Sequence, residues 1–326
     1  MTSQLGCVVT TTTVKDILAE KELSLGRFDD NKGFVTLVNP PEEDMVKIQR
    51  GLEDHNRKYP NGELDIPSPD ISLVLKNKEG TIIGGVITSM VSRVMHLEVL
   101  WVDRTYRGRG YGKDLVLQAE RIGAEKGYTA SQTWSFSFQA PGFYQSIGYK
   151  VLGIFDGYTD GITEYVLMKK LGIGQHVHGE QSSANKDGYT ITEDSSEEAM
   201  EILYDGLHEY VSEHVGELRR RNPEISIRLA VKKDGQVIGG LTGFTTLKAM
   251  YIEVLWIDER YRGQGYGREL VKAAEDIARE KGCISGIIFA LSFQSPGFFE
   301  KLGYGVFGVS DAYPDPLKQY FLKKKL

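Results

Sequence analysis

The chain of 326 residues carries 45 acidic and 39 basic side chains, a formal charge of −6, with 40% hydrophobic and 26% charged residues. That length holds two ordinary domains, each with its own core, and the composition is that of a globular protein. The acid excess argues against nucleic acid as the main partner, because phosphate backbones are held by clustered Lys and Arg, and fits a cationic partner better. No apolar run approaches the ~20 residues that span a bilayer, so no membrane contact is expected. Met1 to Thr13 lacks the basic and apolar regions of a signal peptide. Two cysteines, Cys7 and Cys283, make no disulfide framework, so a reducing cytoplasm is the expected setting.

In chain order, Thr13 and Asp16 cap a short predicted helix through Leu23, within an N-terminal extension of residues 1–33. Phe34 to Val38 reads as a short strand. Pro40-Pro41 and three acids start a helix whose apolar side holds Met45, Ile48, Leu52 and His55. Pro60, Pro67 and Pro69 make the next stretch irregular. Two strands joined by a Lys78-Glu-Gly turn end in Ile82–Val86. The run around Glu98-Val-Leu-Trp-Val is almost wholly apolar, as suits a central strand covered on both faces. A helix from about Gly112 to Lys126-Gly127, a strand, a short helix through Phe143–Ile147 and two closing strands follow.

The same order then repeats. Met95-His-Leu-Glu-Val-Leu-Trp-Val-Asp103 recurs as Met250-Tyr-Ile-Glu-Val-Leu-Trp-Ile-Asp258, an offset of 155 positions. The offset holds without a gap from Phe34/Tyr189 to Leu171/Leu326, and it far exceeds a solenoid period, so each copy is a complete domain. The expected organisation is a domain over 34–171, a polar, glycine-rich linker over 172–188 and a second domain over 189–326. Repeat 2 has a longer helix, with His208–Arg221 added. His176 and His178 in the linker lack a third ligand, and no metal site is expected.

Between the central strand and the next helix stand Arg107-Gly108-Arg109-Gly110-Tyr111-Gly112 and Arg262-Gly263-Gln264-Gly265-Tyr266-Gly267. Glycines there let the backbone turn tightly and present N–H groups at a helix N-terminus, a ready pyrophosphate site. The spacing is not that of a dinucleotide fingerprint, and Asp114 after Lys113 is against a P-loop. Arg/Gln-x-x-Gly-x-Gly after a central strand resembles the acetyl-CoA motif of the GNAT N-acetyltransferase superfamily. Ser137-Phe-Gln-Ala-Pro-Gly-Phe-Tyr-Gln-Ser-Ile-Gly-Tyr149 resembles that family's second motif, and both recur in order in both copies. The resemblance implies an α/β (α+β) fold, a central mixed sheet flanked by helices in each domain, with acetyl-CoA as cofactor. It places Trp101, Val102 and Ser137, and Trp256, Ile257 and Ser292, beside the pantetheine.

An alkyl amine, of pKa ~10, must lose a proton before it can attack a thioester. Glu98 and Glu253 are the only acids inside the apolar central strands, and burial raises such a carboxyl toward a useful pKa, so both are candidate bases. Backbone N–H groups near Val102 and Ile257 are placed for the oxyanion. The resemblance makes Tyr144 the proton donor to the leaving thiolate; repeat 2 has Phe299 there, with Tyr304 or Tyr313 as possible substitutes. Repeat 1 therefore keeps the fuller catalytic set. The expected activity is acetylation of a primary amine on a small cationic molecule by a monomer. Tandem GNAT proteins of similar layout include self-resistance enzymes for antibiotics of the paenilamicin or zwittermicin type. Acetylation of protein lysines or N-termini, and a non-catalytic acyl-CoA sensor, are the alternatives.

Overall fold

A computed structural model describes residues 28–30, 34–59, 71–172 and 188–326. The expected helix after Thr13, the proline-rich stretch after Tyr59, and His176 and His178 lie outside the described residues. Repeat 1 runs β2 (Phe34–Val38), α1 (Glu42–Asn56), β3 (Ile71–Lys76), β4 (Ile82–Val91), β5 (Val94–Val102), α2 (Tyr111–Glu125), β6 (Ala130–Phe136), α3 (Pro141–Ser146), β7 (Lys150–Phe155) and β8 (Glu164–Lys170). Repeat 2 matches it with β9 (Thr190–Glu193), α4 (Glu197–Arg221), β10 (Ile225–Lys233), β11 (Gln236–Thr246) and β12 (Ala249–Ile257). It continues with α5 (Tyr266–Glu280), β13 (Ser285–Leu291), α6 (Pro296–Glu300), β14 (Gly305–Ser310) and β15 (Gln319–Lys325). A short β1 (Phe28–Asp30) precedes both and hairpins onto β2, so part of the N-terminal extension belongs to the fold.

The strand order departs from the expectation of two contiguous domains. One sheet runs β7-β8-β6-β5-β4-β3-β9, and the other β1-β2-β10-β11-β12-β13-β15-β14. The opening strand of each repeat thus pairs with the sheet of the other: Leu37 opposite Ala230, and Thr192 opposite Val74. Their helices follow them. Met45 and Ile48 of α1 pack with Ala230, Val254 and Trp256, while Ala199 and Leu203 of α4 pack with Val74, Ile87 and Trp101. The boundaries 34–171 and 189–326 therefore delimit sequence repeats, not packing units. Length supplies the physical reason. α4 is a single rod of 25 residues, about 37 Å long, joined to β10 by only three residues. Its C-terminal half, with Val211 and Val215, fills the junction between the sheets, so its N-terminal half is carried onto the other sheet. Cross-repeat ion pairs hold the exchanged segments: Lys232 with buried Asp44 at 2.5 Å, and Lys76 with Asp194 at 3.1 Å.

The exchange is mirrored residue by residue. A Cβ on Gly206 of α4 would lie 2.2 Å from the Trp101 ring, and one on Gly51 of α1 would lie 2.2 Å from the Trp256 ring. Each helix thus rests its bare backbone on the other repeat's central-strand tryptophan. The opposite sheet faces carry α2 and α5, packed by Leu115, Val116 and Ala119 and by Leu270, Val271 and Ala274. Among the described residues, no helix is long and apolar enough to cross a membrane.

Replacing Gly206 by Ala should destabilise the protein by about 1–3 kcal/mol, because overpacking against Trp101 outweighs the gain in helix propensity. Gly216→Ala on the same helix, where a Cβ meets nothing closer than 3.8 Å, should stabilise it by about 0.5–1 kcal/mol. Urea unfolding midpoints measure both.

Candidate active site

Two irregularities of the sheet make each cleft. In the ladder between β4 and β5, Ile87 faces Val99 and Thr88 faces Leu97, which leaves Glu98 as the extra residue of a β-bulge. Glu253 is skipped likewise between β11 and β12. On the other side, β5 and β6 pair in parallel only from Val94 to His96 and then part, as β12 and β13 do beyond Ile252. The parting opens a cleft of about 550 Å³ in the first unit and one of about 410 Å³ in the second. Trp134 lines the first and Phe289 the second, at equivalent positions, and their ring centroids are 5.9 Å apart. The two clefts are therefore back to back across one pair of aromatic rings.

At the mouth of each cleft lies the glycine-rich turn. Gly108 and Gly110 have φ of +77° and +92°, Gly263 and Gly265 +74° and +98°, a region that other residues enter at a cost. Gly110 and Gly265 are the N-caps of α2 and α5 and offer no side-chain oxygen, so the first-turn N–H groups stay available to an anion. Arg107, Gly108, Gly110, Tyr111 and Gly112 line the first cleft, and Arg262, Gly263, Gly265, Tyr266 and Gly267 the second. Arg107 donates from Nε to the Val102 carbonyl at 2.7 Å, and Arg262 to that of Ile257 at 2.9 Å. Arg109 and Gln264 instead reach back to the carbonyls of Thr105 and Arg260 and do not line the clefts. Lys113 and Arg268 do line them, in the first turn of each helix. The 155-residue offset pairs these two cations, a signal that sequence reasoning passed over. The turn, the uncapped N–H groups and these bases together fit the pyrophosphate of acetyl-CoA.

Further in, the two clefts differ. Ser89 donates to Glu98 Oε1, and burial raises the Glu98 pKa while this bond opposes the rise. Phe244 holds the place of Ser89 in the second unit. Glu253 lines the second cleft with its side chain open to solvent, and its pKa is pushed up to about 7 by partial desolvation and then by repulsion from Glu224. Tyr144 is buried against Phe143 and Tyr149, and burial pushes its hydroxyl up to about 12, with Thr133 nearby opposing the rise. Phe299 takes its place in the second cleft, edge-on to Phe298 and Tyr304. Neither expected substitute lines that cleft: Tyr304 is buried in the core of the second unit, and Tyr313 donates to Gln319 Oε1 at 3.2 Å in the core. Trp101 and Val102 line the first cleft, and Trp256 and Ile257 the second. Ser137 and Ser292 do not. They stand past the strand ends, locked to the backbones of Thr163 and Lys318, while Ser135 and Ala290, on the parted strands, take the lining positions.

Sequence reasoning also missed the far wall. Leu207 and Tyr210 of α4 line the first cleft, and Leu52 and His55 of α1 the second. Each cleft is thus closed by a helix of the other repeat. Among the described residues, no cluster of three or more His, Cys, Asp or Glu is arranged for a metal ion.

The profile of the Acetyltransferase (GNAT) family matches residues 40–149 and again 189–304. A blasticidin-S acetyltransferase of Streptomyces morookaense is 39% identical over 95 residues, 29% of this chain and 70% of that protein. An acetyltransferase of Agrobacterium fabrum is 30% identical over 120 residues, 37% of this chain and 85% of that one. A crystal structure of an acetyltransferase from Bacillus cereus is 33% identical and covers 41% of this chain and 96% of its own, with a TM-score of 0.39. Matched twice along more than half of its length, the chain belongs to the Acetyltransferase (GNAT) family and is an acetyl-CoA-using N-acetyltransferase with two tandem copies of that fold.

Proposed function

We propose that the protein acetylates a primary amine of a small cationic molecule, of antibiotic or polyamine type, by direct attack of the amine on the thioester. The observation that carries this reading is the carboxylate at the bulge of each central strand, set inside a cleft whose mouth is a phosphate-cradling turn. A carboxylate there attracts an ammonium group and can take its proton. The blasticidin-S acetyltransferase among the relatives supports an antibiotic amine as acceptor, and a self-resistance role of the paenilamicin or zwittermicin kind is the finer form of the proposal.

Acetyl-CoA supplies an acetyl group already activated as a thioester. The turn and the first-turn N–H groups of α2, with Arg107 and Lys113, hold its phosphates. Glu98, at the bulge of β5 and lining the first cleft, accepts the proton that the acceptor ammonium must lose. Its raised pKa makes it a stronger base than an ordinary glutamate, so it competes better for a proton held at a pKa of ~10. Backbone N–H groups on the parted side of β5, near Val102, stabilise negative charge on the carbonyl oxygen. Tyr144 holds a proton at its hydroxyl throughout the physiological range, ready for the sulfur side of the cleft. Repeat 1 thus has a base and an acid. The second cleft has the base alone, and we assign it slower turnover or a binding role. One chain builds both clefts, and the reading is of a monomer.

Glu98→Gln should lower kcat by about a hundredfold near neutral pH, with a deficit that shrinks as the pH approaches the acceptor's own pKa. Tyr144→Phe should lower kcat about tenfold to a hundredfold and leave the KM for acetyl-CoA nearly unchanged. CoA release from acetyl-CoA, followed across aminoglycoside-like antibiotics, polyamines and peptides, measures both. Peptide turnover far above that of the small amines would point to a protein substrate, and tight binding without release to a sensor. Gly110→Trp should abolish most of the activity and Gly265→Trp little of it; the reverse result would move the chemistry to the second cleft. Turnover by the second cleft should rise with pH through about 7, because Glu253 accepts a proton only as the carboxylate.

A further inference from the structure

The arginine that opens each phosphate-cradling turn is touched by the exchanged helix, and by a different residue in each cleft. The guanidinium of Arg107 lies 4.9 Å from the centre of the Tyr210 ring, whose hydroxyl is anchored at 2.9 Å on the Phe138 carbonyl. Nη2 of Arg262 lies 3.4 Å from Nδ1 of His55. Tyr210 and His55 occupy equivalent positions of α4 and α1, as Arg107 and Arg262 do in the turns. Aromatic contacts of the exchanged strands reinforce the pattern, with Tyr189 at 5.0 Å from Tyr111 and Phe34 at 4.5 Å from Tyr266. Two unlike interactions at equivalent positions, each directed at the equivalent turn arginine, point to a shared task.

We propose that Tyr210 and His55 are positioning residues for acetyl-CoA, each fixing the turn arginine of the opposite repeat, so that each repeat sets the cofactor affinity of the other's cleft. The proposal rests on the reading that both turns hold the cofactor. Backed by a ring face or an imidazole nitrogen, and tied through Nε to the strand carbonyl, each arginine is held in one place before phosphate arrives, and less freedom is lost on binding.

The two contacts differ in one measurable respect. A cation–π contact does not titrate, whereas the histidine contact does. Neutral His55 accepts at Nδ1 from Arg262; protonated, it has no acceptor and repels the guanidinium. The groups facing it are Arg262, Glu259 at 3.9 Å, Lys58 in the turn that follows α1 and the Tyr59 ring. Its pKa lies below the ordinary histidine value, through burial and then Arg262, with Glu259 opposing. The contact is therefore intact at neutral pH and is lost on acidification.

Acetyl-CoA binding is measured by isothermal titration in the full chain carrying Gly265→Trp, which leaves the first cleft, or Gly110→Trp, which leaves the second. In the first background Tyr210→Leu should weaken binding about threefold to tenfold, and Tyr210→Phe, which keeps the ring face, should restore it. In the second, His55→Leu should weaken binding to a similar degree, and His55→Gln should retain it. Between about pH 7 and about pH 5, the second cleft should lose affinity relative to the first, and His55→Gln should make that loss smaller; Glu253 is present in both versions, so its own titration cancels in the comparison. Unchanged affinity in the Leu variants, or tighter binding on acidification through His55, overturns the proposal while the cofactor reading stands. Two intact sites in both glycine variants overturn the cofactor reading and the proposal together.

Discussion

The approach of a helix backbone to a tryptophan ring sets most of what surrounds the two clefts. Trp101 and Trp256 stand near the ends of the central strands, just past the bulged glutamates, and each is covered by a helix that presents glycine to it. A larger residue at Gly206 or Gly51 would push the helix away from the sheet, and with it Tyr210 or His55. The distance between that helix and the glycine-rich turn is thus fixed from beneath by one ring. That the helix comes from the other repeat makes the contact a joint between the two halves of the chain as well as a wall of the site.

The common frame leaves room for differences in chemistry. Both central strands have a bulge at the same glutamate, because a bulge leaves one residue outside the ladder and turns its side chain toward the cleft. Beyond that point the surroundings diverge. Glu98 has a hydroxyl partner and an enclosed setting, whereas Glu253 has a phenylalanine in place of the serine, a second carboxylate nearby and an open mouth. Tyr144 and Phe299 fill equal space, one with a proton to give and one without. Duplication preserved the shape of the site more strictly than its proton inventory.

The sequence made the duplication, the turn and the central strand legible, because each depends on local rules: a fixed offset, glycine where φ is positive, an apolar run where both faces are covered. The exchange was hidden for a physical reason. Ile48 packs on Gly240 as Leu203 packs on Gly85, so a helix of either repeat suits either sheet, and apolar patterning is the same for both pairings. The length of α4 was visible, but its consequence appears only when a rod of that length is placed against a three-residue connection. Ser137 was misplaced for a simpler reason: where the strands part, the lining residues are those still on the strand, and Ser135 precedes the end that Ser137 has passed. Lys113 and Arg268 were overlooked because a cation on an exposed helix turn is ordinary until the uncapped N–H groups beside it are considered.

The pairing of Leu37 with Ala230 has a consequence for the order in which the protein is made. During synthesis from the N-terminus, β2 and α1 emerge about 190 residues before the strand that will receive them, an interval of about 10–40 s at ordinary elongation rates. For that time the apolar face of α1, with Met45 and Ile48, has only its own repeat's sheet for cover, a surface of matching shape. Neither sheet can therefore be completed from its own repeat: the first waits for β9, and the second takes β2 from a segment made long before it.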